Sequence, residues 1–243
     1  MPLQRVTKLK DEMFYSAYIW AVWAKALIFN RKRYKELKSK FTENQGYSLL
    51  PFEKTKSIFV HIPKCAGVSV NQALYGSLAG GHLSIQDYII AFGPIKFRSF
   101  YKFTIVRNPW DRLVSAFHFL KGGGFNSKDK IWFETHIGKN ISFEEFVLTK
   151  LNKPEVLDWY HFRPQHTFIS DNKNVSLVDF IGKLENLDTD FGRIAEKLGV
   201  HLNVSKSNES LRSSYKFYYS EKSRLVVSEI YKKDIDLFNY TFD

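Results

Sequence analysis

The sequence of 243 residues has one cysteine, Cys65. A lone thiol cannot close an internal disulfide, which excludes a stapled secreted scaffold and a cysteine-rich zinc site, and fits a reducing, cytoplasmic setting. Long apolar runs are also scarce. The best candidate, Met13 to Phe29, covers 17 residues and contains Lys25, whereas a spanning helix needs about 20 apolar residues. No small-residue cleavage pattern follows it, which argues against a cleavable signal peptide. Acidic residues are in deficit, with 25 Asp+Glu against 36 Lys+Arg, a net charge of +11. That surplus favours anionic partners (nucleic acid, acidic membrane, nucleotide phosphates, acidic polysaccharide) without choosing among them. Internal repeats and low-complexity tracts are missing too.

Hydrophobic residues make up 44%, which excludes general disorder, and aromatics reach 16%, with 22 Phe, 13 Tyr and 5 Trp. Such a composition suits a packed core and a site for flat or sugar-like ligands. The apolar stretch at 13–29 is followed by Arg31, Lys32, Arg33, Lys35, Lys38 and Lys40. Two readings compete for residues 13–40. One is a helix packed on the domain with a solvated basic tail. The other is peripheral contact with an anionic membrane interface, full insertion being penalised by Lys25. Residues 41–56 are polar and turn-rich. The expected division is a helical segment with linker over 1–50 and the main domain over 51–243.

Ser57 to Ile62 is an apolar, β-branched run that predicts a buried strand, ended by Pro63. A small-residue loop over 64–69 and the opening turns of a helix over Val70 to Tyr75 follow. Tyr101 to Val106 predicts a second strand. In the helix after it, Asn108 is the cap, Pro109 the first residue and Asp111 a first-turn carboxylate. Leu113, Ala116, Phe117 and Leu120 recur at helical spacing, and Gly122 to Gly124 stop the helix. Ser142 and Glu145 suggest a capping box. Val178 to Ile181 predicts a strand and Thr189 to Leu198 a helix. The last 30 residues read as helical, with Leu225, Val226, Ile230 and Leu237 on one side. Strands alternating with helices argue for a parallel sheet covered on both faces.

Two segments stand out chemically. In Phe59-Val-His-Ile-Pro-Lys-Cys-Ala-Gly-Val-Ser-Val70, a strand leads through a tight loop into a helix N-terminus, where backbone N–H groups and positive potential favour anions. Lys64 adds a movable charge, Gly67 a close backbone approach and Ser69 a hydroxyl. The spacing is not that of a Walker loop. In Phe103-Thr-Ile-Val-Arg-Asn-Pro-Trp-Asp-Arg-Leu-Val-Ser-Ala-Phe117, Arg107 stands at the carboxyl edge of its strand. Ser115 lies two turns into the helix, on the side of Asn108 and Arg112. An arginine fork with a serine hydroxyl is a receptor for a second phosphate.

Together the two segments resemble the cofactor signatures of sulfotransferases that use 3'-phosphoadenosine 5'-phosphosulfate (PAPS), in the carbohydrate-modifying branch of the heparan 2-O-sulfotransferase type and its bacterial relatives. Phe162-Arg-Pro-Gln165, Phe180 to Leu187 and Tyr231 to Phe242 continue the likeness. The resemblance implies a P-loop-like three-layer α/β fold with a central parallel sheet flanked by helices. It implies PAPS as donor, 3',5'-adenosine bisphosphate as product, no metal, and a glycan or glycolipid acceptor rather than nucleic acid. The loop of Lys64, Cys65, Ala66, Gly67, Val68 and Ser69 then holds the 5'-phosphosulfate, while Arg107 and Ser115 hold the 3'-phosphate. Cys65 stands where relatives commonly carry Thr, a change that a backbone-mediated contact survives.

Gly80-Gly-His-Leu-Ser-Ile-Gln-Asp-Tyr88 resembles the family segment whose histidine is the catalytic base, which assigns His82 that role and Lys64 the stabilisation of the leaving phosphate. His61 is expected to pack beside its strand. His118 and His136 are reserves, and His161 and His166 flank Arg163. Arg212 and Tyr215 fall in a basic, aromatic loop that in relatives closes on the nucleotide. The rival classes are a P-loop-type nucleotide kinase and a non-catalytic binder of acidic polymer or membrane. A kinase needs Walker spacing and an acidic magnesium ligand after a strand, where this chain has Arg107. A binder leaves the paired motifs unexplained. The placement that follows is a cytoplasmic enzyme, with peripheral membrane attachment second.

Overall fold

The structure, a computed structural model, describes residues 12–42, 46–200, 202 and 214–242. The chain opens with helices α1 (Glu12–Phe29), α2 (Arg31–Lys38) and α3 (Leu50–Thr55). Strand β1 (Ser57–Val60), helices α4 (Gly67–Tyr75) and α5 (Ile85–Ser99), and strand β2 (Tyr101–Val106) follow. Helices α6 (Pro109–Lys121), α7 (Ser127–His136), α8 (Phe143–Thr149), α9 (Pro154–Leu157) and α10 (His166–Ile169) lead to β3 (Phe180–Lys183). Helices α11 (Leu187–Leu198), α12 (Glu221–Ile230) and α13 (Lys232–Phe238) complete it. These elements divide into two compact units: the first within 1–62, 66–106 and 166–207, the second within 63–65, 107–165 and 208–243.

The first unit holds a parallel sheet in the order β1-β2-β3, flanked by helices, so the expected P-loop-like α/β class is what the chain adopts. Ser57 pairs with Tyr101 and Val60 with Thr104, and Phe103 pairs with Phe180 and Val106 with Lys183. All four β1 residues are buried, as parallel strands covered on both faces require. The ladder stops at Val60, two residues before the end of the apolar run. The predicted third strand begins two residues later than expected, because the Asp179 carboxylate accepts the Lys102 N–H at 2.9 Å and pairs with its ammonium.

Residues read as linker do more than connect. Leu49 and Phe52 are fully buried, and α3 occupies 50–55. Helix α1 packs on α5 through Ile19 and Ala26, with Gln86 donating to the Tyr18 hydroxyl (3.3 Å) and Arg98 to Ser16 (3.1 Å). Among the described residues no helix is long and apolar enough to cross a membrane.

In the second unit, Asn108 caps α6 by accepting from Trp110 and Asp111 N–H groups, with Pro109 in first position. Phe117 anchors the core against Phe133, Phe143 and Phe146, at ring separations of 5.6, 5.4 and 5.1 Å. Ser142 caps α8 through the Glu145 N–H (3.1 Å), but only half of the expected box forms. The C-terminal helices present a different face from the expected one. Leu225 and Leu237 are 55% and 41% exposed, while Ser223, Val227, Tyr231, Asp234 and Phe238 are buried. Hydrogen bonding decides this: Ser223 closes a capping box with Ser220, and Asp234 accepts a backbone N–H from Gln165.

Candidate functional site

Arg107 follows the last residue of β2, and its backbone and side chain are both committed. The guanidinium donates Nε to Asp111 Oδ2 at 2.8 Å and Nη1 to the Lys64 carbonyl at 3.1 Å, with 14% of the side chain exposed. Its peptide is bracketed by Gln165, which accepts the Arg107 N–H (2.9 Å) and donates to the Arg107 carbonyl (2.8 Å). The second unit thus brings one residue of each motif, Lys64 and Arg107, into direct contact. Asp111, expected only to stabilise the first helical turn, also orients the arginine fork.

Lys64 takes a left-handed backbone, φ 67°, and lays its ammonium over the Phe119 ring, 3.8 Å from the centroid. His161 packs on the same ring at 5.3 Å. Cys65 turns its thiol inward, donating to Gln165 Oε1 at 3.3 Å, and is 1% exposed. Whatever that peptide offers an anion comes from its backbone. Arg112, 2% exposed, donates to the carbonyls of Pro63 (2.9 Å), Arg163 (3.0 Å) and Tyr160 (3.4 Å) and so ties 63–65 to 160–163. Beneath it, burial pushes the Tyr231 phenol well up against the opposing pull of Arg112, and the hydroxyl donates to the Phe162 carbonyl at 2.6 Å.

In the first unit, α4 starts at Gly67 behind Ala66, which is left-handed at φ 56°. Ala66 has no side chain to accept from the first turn, so the helix end keeps its positive character. Gly67 is required by packing: a Cβ there would overlap the imidazole of His61. The space left by its missing side chain is filled by a histidine ring. Val68 is 45% exposed and Ser69 half-buried on the first turn.

His61 is buried as expected, stacked on Phe59 at 5.7 Å, with its Nδ1 3.4 Å from Asn71 Nδ2. His82 lies against it, ring centroids 4.4 Å apart, its Nδ1 3.2 Å from the His61 carbonyl. A carbonyl only accepts, so this bond places the His82 proton on Nδ1 and makes Nε2 the basic nitrogen. The preceding Gly80 and Gly81 are left-handed, φ 74° and 60°. Gly80 donates to the Ser48 carbonyl at 3.2 Å, so a built turn delivers His82.

The remaining assignments separate. Ser115 is half-buried on α6, one turn beyond Asp111. The Tyr215 hydroxyl donates to the Phe242 carbonyl (3.0 Å) and receives Asn108 Nδ2 at 3.4 Å, which ties it to the second motif through its cap. Arg212 lies outside the described residues. His136 stacks on Trp132, His118 packs on Tyr218, and His166 is buried. The reading of the sequence missed the work of Gln165, Arg112 and Phe119. For Gln165 the only signal was its place in the Phe-Arg-Pro-Gln stretch.

Residues 91–241, well over half of the chain, match the model of the sulfotransferase family. The match takes in Arg107, Ser115, Gln165 and Tyr215 and begins after Lys64 and His82. An uncharacterized protein of Archaeoglobus fulgidus is 33% identical over 104 residues, which is 43% of this chain and 72% of that protein. No solved structure matches. The family match, agreeing with the Arg107 motif at the end of β2, shows that this chain belongs to the sulfotransferase family.

Proposed function

We propose that this protein transfers a sulfuryl group from PAPS to a hydroxyl of a carbohydrate or glycolipid acceptor. PAPS is in general the donor of the family. The observation that carries the reading is the contact of Arg107 Nη1 with the Lys64 carbonyl at 3.1 Å, which unites residues of both motifs in one unit. An ammonium, a guanidinium and the Ser115 hydroxyl are a donor set suited to a bisphosphate. The acceptor class rests on the likeness of both motifs to the carbohydrate-modifying branch, and a cytoplasmic setting rests on the lone Cys65.

PAPS supplies the sulfuryl group when bound. The chain's own work is alignment and charge stabilisation. His82 Nε2 takes the acceptor hydroxyl proton as the new O–S bond forms. Lys64 stabilises the charge left on the 5'-phosphate oxygen as its bond to sulfur breaks. Arg107 and Ser115 read the 3'-phosphate, with Arg212 and Tyr215 as further nucleotide contacts.

The test is thermal unfolding of wild type and Arg107→Ala with 3',5'-adenosine bisphosphate, AMP or ATP–magnesium. At 100 times its dissociation constant a ligand of the folded state adds about 2.7 kcal/mol. A midpoint rise specific to the bisphosphate and lost in the variant supports the reading. A rise with ATP–magnesium alone overturns it in favour of a kinase, and no rise with any nucleotide favours a binding protein.

A further inference from the structure

Helix α1 has an inner face and an outer face, and both are apolar. Ile19 and Ala26 are buried against the unit, and Tyr15 sinks far enough that burial and Asp179 push its phenol up to about 12. On the opposite arc, Met13, Ala17, Trp20, Ala21, Ala24 and Ile28 follow one another at helical spacing, with Phe14, Lys25 and Phe29 at its edge. Exposures of 72% for Met13, 45% for Trp20, 64% for Ile28 and 79% for Phe29 put much of this arc at the surface of the described residues. A helix resting on a soluble unit normally turns polar residues outward, and a contiguous exposed apolar stripe marks an interaction surface.

Charge identifies the partner. Lys25 stands at the edge of the stripe, and Arg31, Lys32 and Lys35 follow directly, all exposed. Lys173 places its ammonium 5.9 Å from the Phe14 ring centroid. The one carboxylate of α2, Glu36, pairs with Arg33 at 2.7 Å, as does Asp87 of α5 at 2.8 Å, so neither offsets the outward cations. A tryptophan-bearing apolar stripe bordered by cations matches an anionic lipid surface, where acyl chains take the apolar residues and headgroups take the lysines. The helix is not long and apolar enough to span. We propose that α1 and the start of α2 form an interfacial anchor that seats this protein on anionic membranes. The anchor is independent of the sulfotransfer reading.

The test is flotation of the full chain with vesicles of phosphatidylcholine alone, or with one third phosphatidylglycerol. The expected result is recovery with the mixed vesicles only, reversed by high salt. Lys32→Glu/Lys35→Glu is expected to weaken partitioning by ~25-fold or more, since each cation at the surface contributes roughly fivefold. Ile28→Ser/Phe29→Ser is expected to abolish it while keeping the wild-type unfolding midpoint, because these side chains are 64% and 79% exposed. Wild type that stays with the unbound fraction overturns the proposal, as does a serine variant that floats like wild type. Self-association in sedimentation that the serine variant abolishes assigns the face to a second copy and overturns it too.

Discussion

The amide of Gln165 closes a ring of two hydrogen bonds with the peptide of Arg107, accepting at 2.9 Å and donating at 2.8 Å across 58 residues of sequence. The same oxygen receives the Cys65 thiol, and the Gln165 backbone N–H is held by Asp234 at 2.6 Å. A fully buried side chain thereby holds the Arg107 peptide and the Cys65 thiol together within the second unit. Such a satisfied buried network is stable as a whole and expensive to open in part.

Gln165→Leu follows from this geometry. Leucine fills the space but leaves the Arg107 N–H and carbonyl without their amide. Each orphaned buried group costs about 1–3 kcal/mol, so urea unfolding is expected to lose roughly 2–5 kcal/mol with an unchanged slope. A loss below 1 kcal/mol would mean that the ring contributes little.

Gly67→Ala forces a methyl group into the His61 ring. Overpacking of this kind destabilises by about 1–3 kcal/mol, and the displaced ring no longer supports His82. His61→Ala in the same chain is expected to relieve most of the clash. A double-mutant cycle in which the two effects simply add would sink the steric account.

His82→Ala tests the base without disturbing the phosphate contacts. Turnover is expected to fall about 10²–10⁴-fold, while the midpoint rise with 3',5'-adenosine bisphosphate persists. His161→Ala is the comparison, because His161 packs on the ring that carries the Lys64 ammonium. If His161→Ala loses turnover and His82→Ala keeps it, the roles reverse.

Alkaline pH loads the core. Burial pushes Tyr15 and Tyr101 up to about 12 and raises Tyr75, Tyr88 and Tyr231 further. The unfolded chain releases these protons near pH 10 while the folded one retains them, so above pH 10 the unfolded state binds fewer protons and stability falls. Below pH 10 their contribution is fully present. Circular dichroism and phenolate absorbance are expected to show unfolding coincident with ionisation between about pH 10 and 12. Phenols that ionise near pH 10 in a folded chain would contradict this.

Local chemistry was legible wherever neighbours in sequence decide the outcome. The run Tyr101 to Val106 became β2 without change, and Asn108-Pro109 began α6, because strand patterning, an Asx cap and a proline at the first position act within a few residues. The Lys64 and Arg107 motifs, and the family, could be read for the same reason. Faces set by distant partners could not. Apolar spacing put Leu225 and Leu237 on one side of the last helices, yet both are exposed and Asp234 is buried, because Gln165 supplies the hydrogen bond that makes burying a carboxylate tolerable. Nor was it legible that Gly67 makes room for the His61 ring. The inward turn of Cys65, the carbonyls that hold Arg112 and the His82 tautomer likewise depend on partners 20 to 100 residues away. A sequence states which groups can bond, and only the folded backbone determines which of them meet.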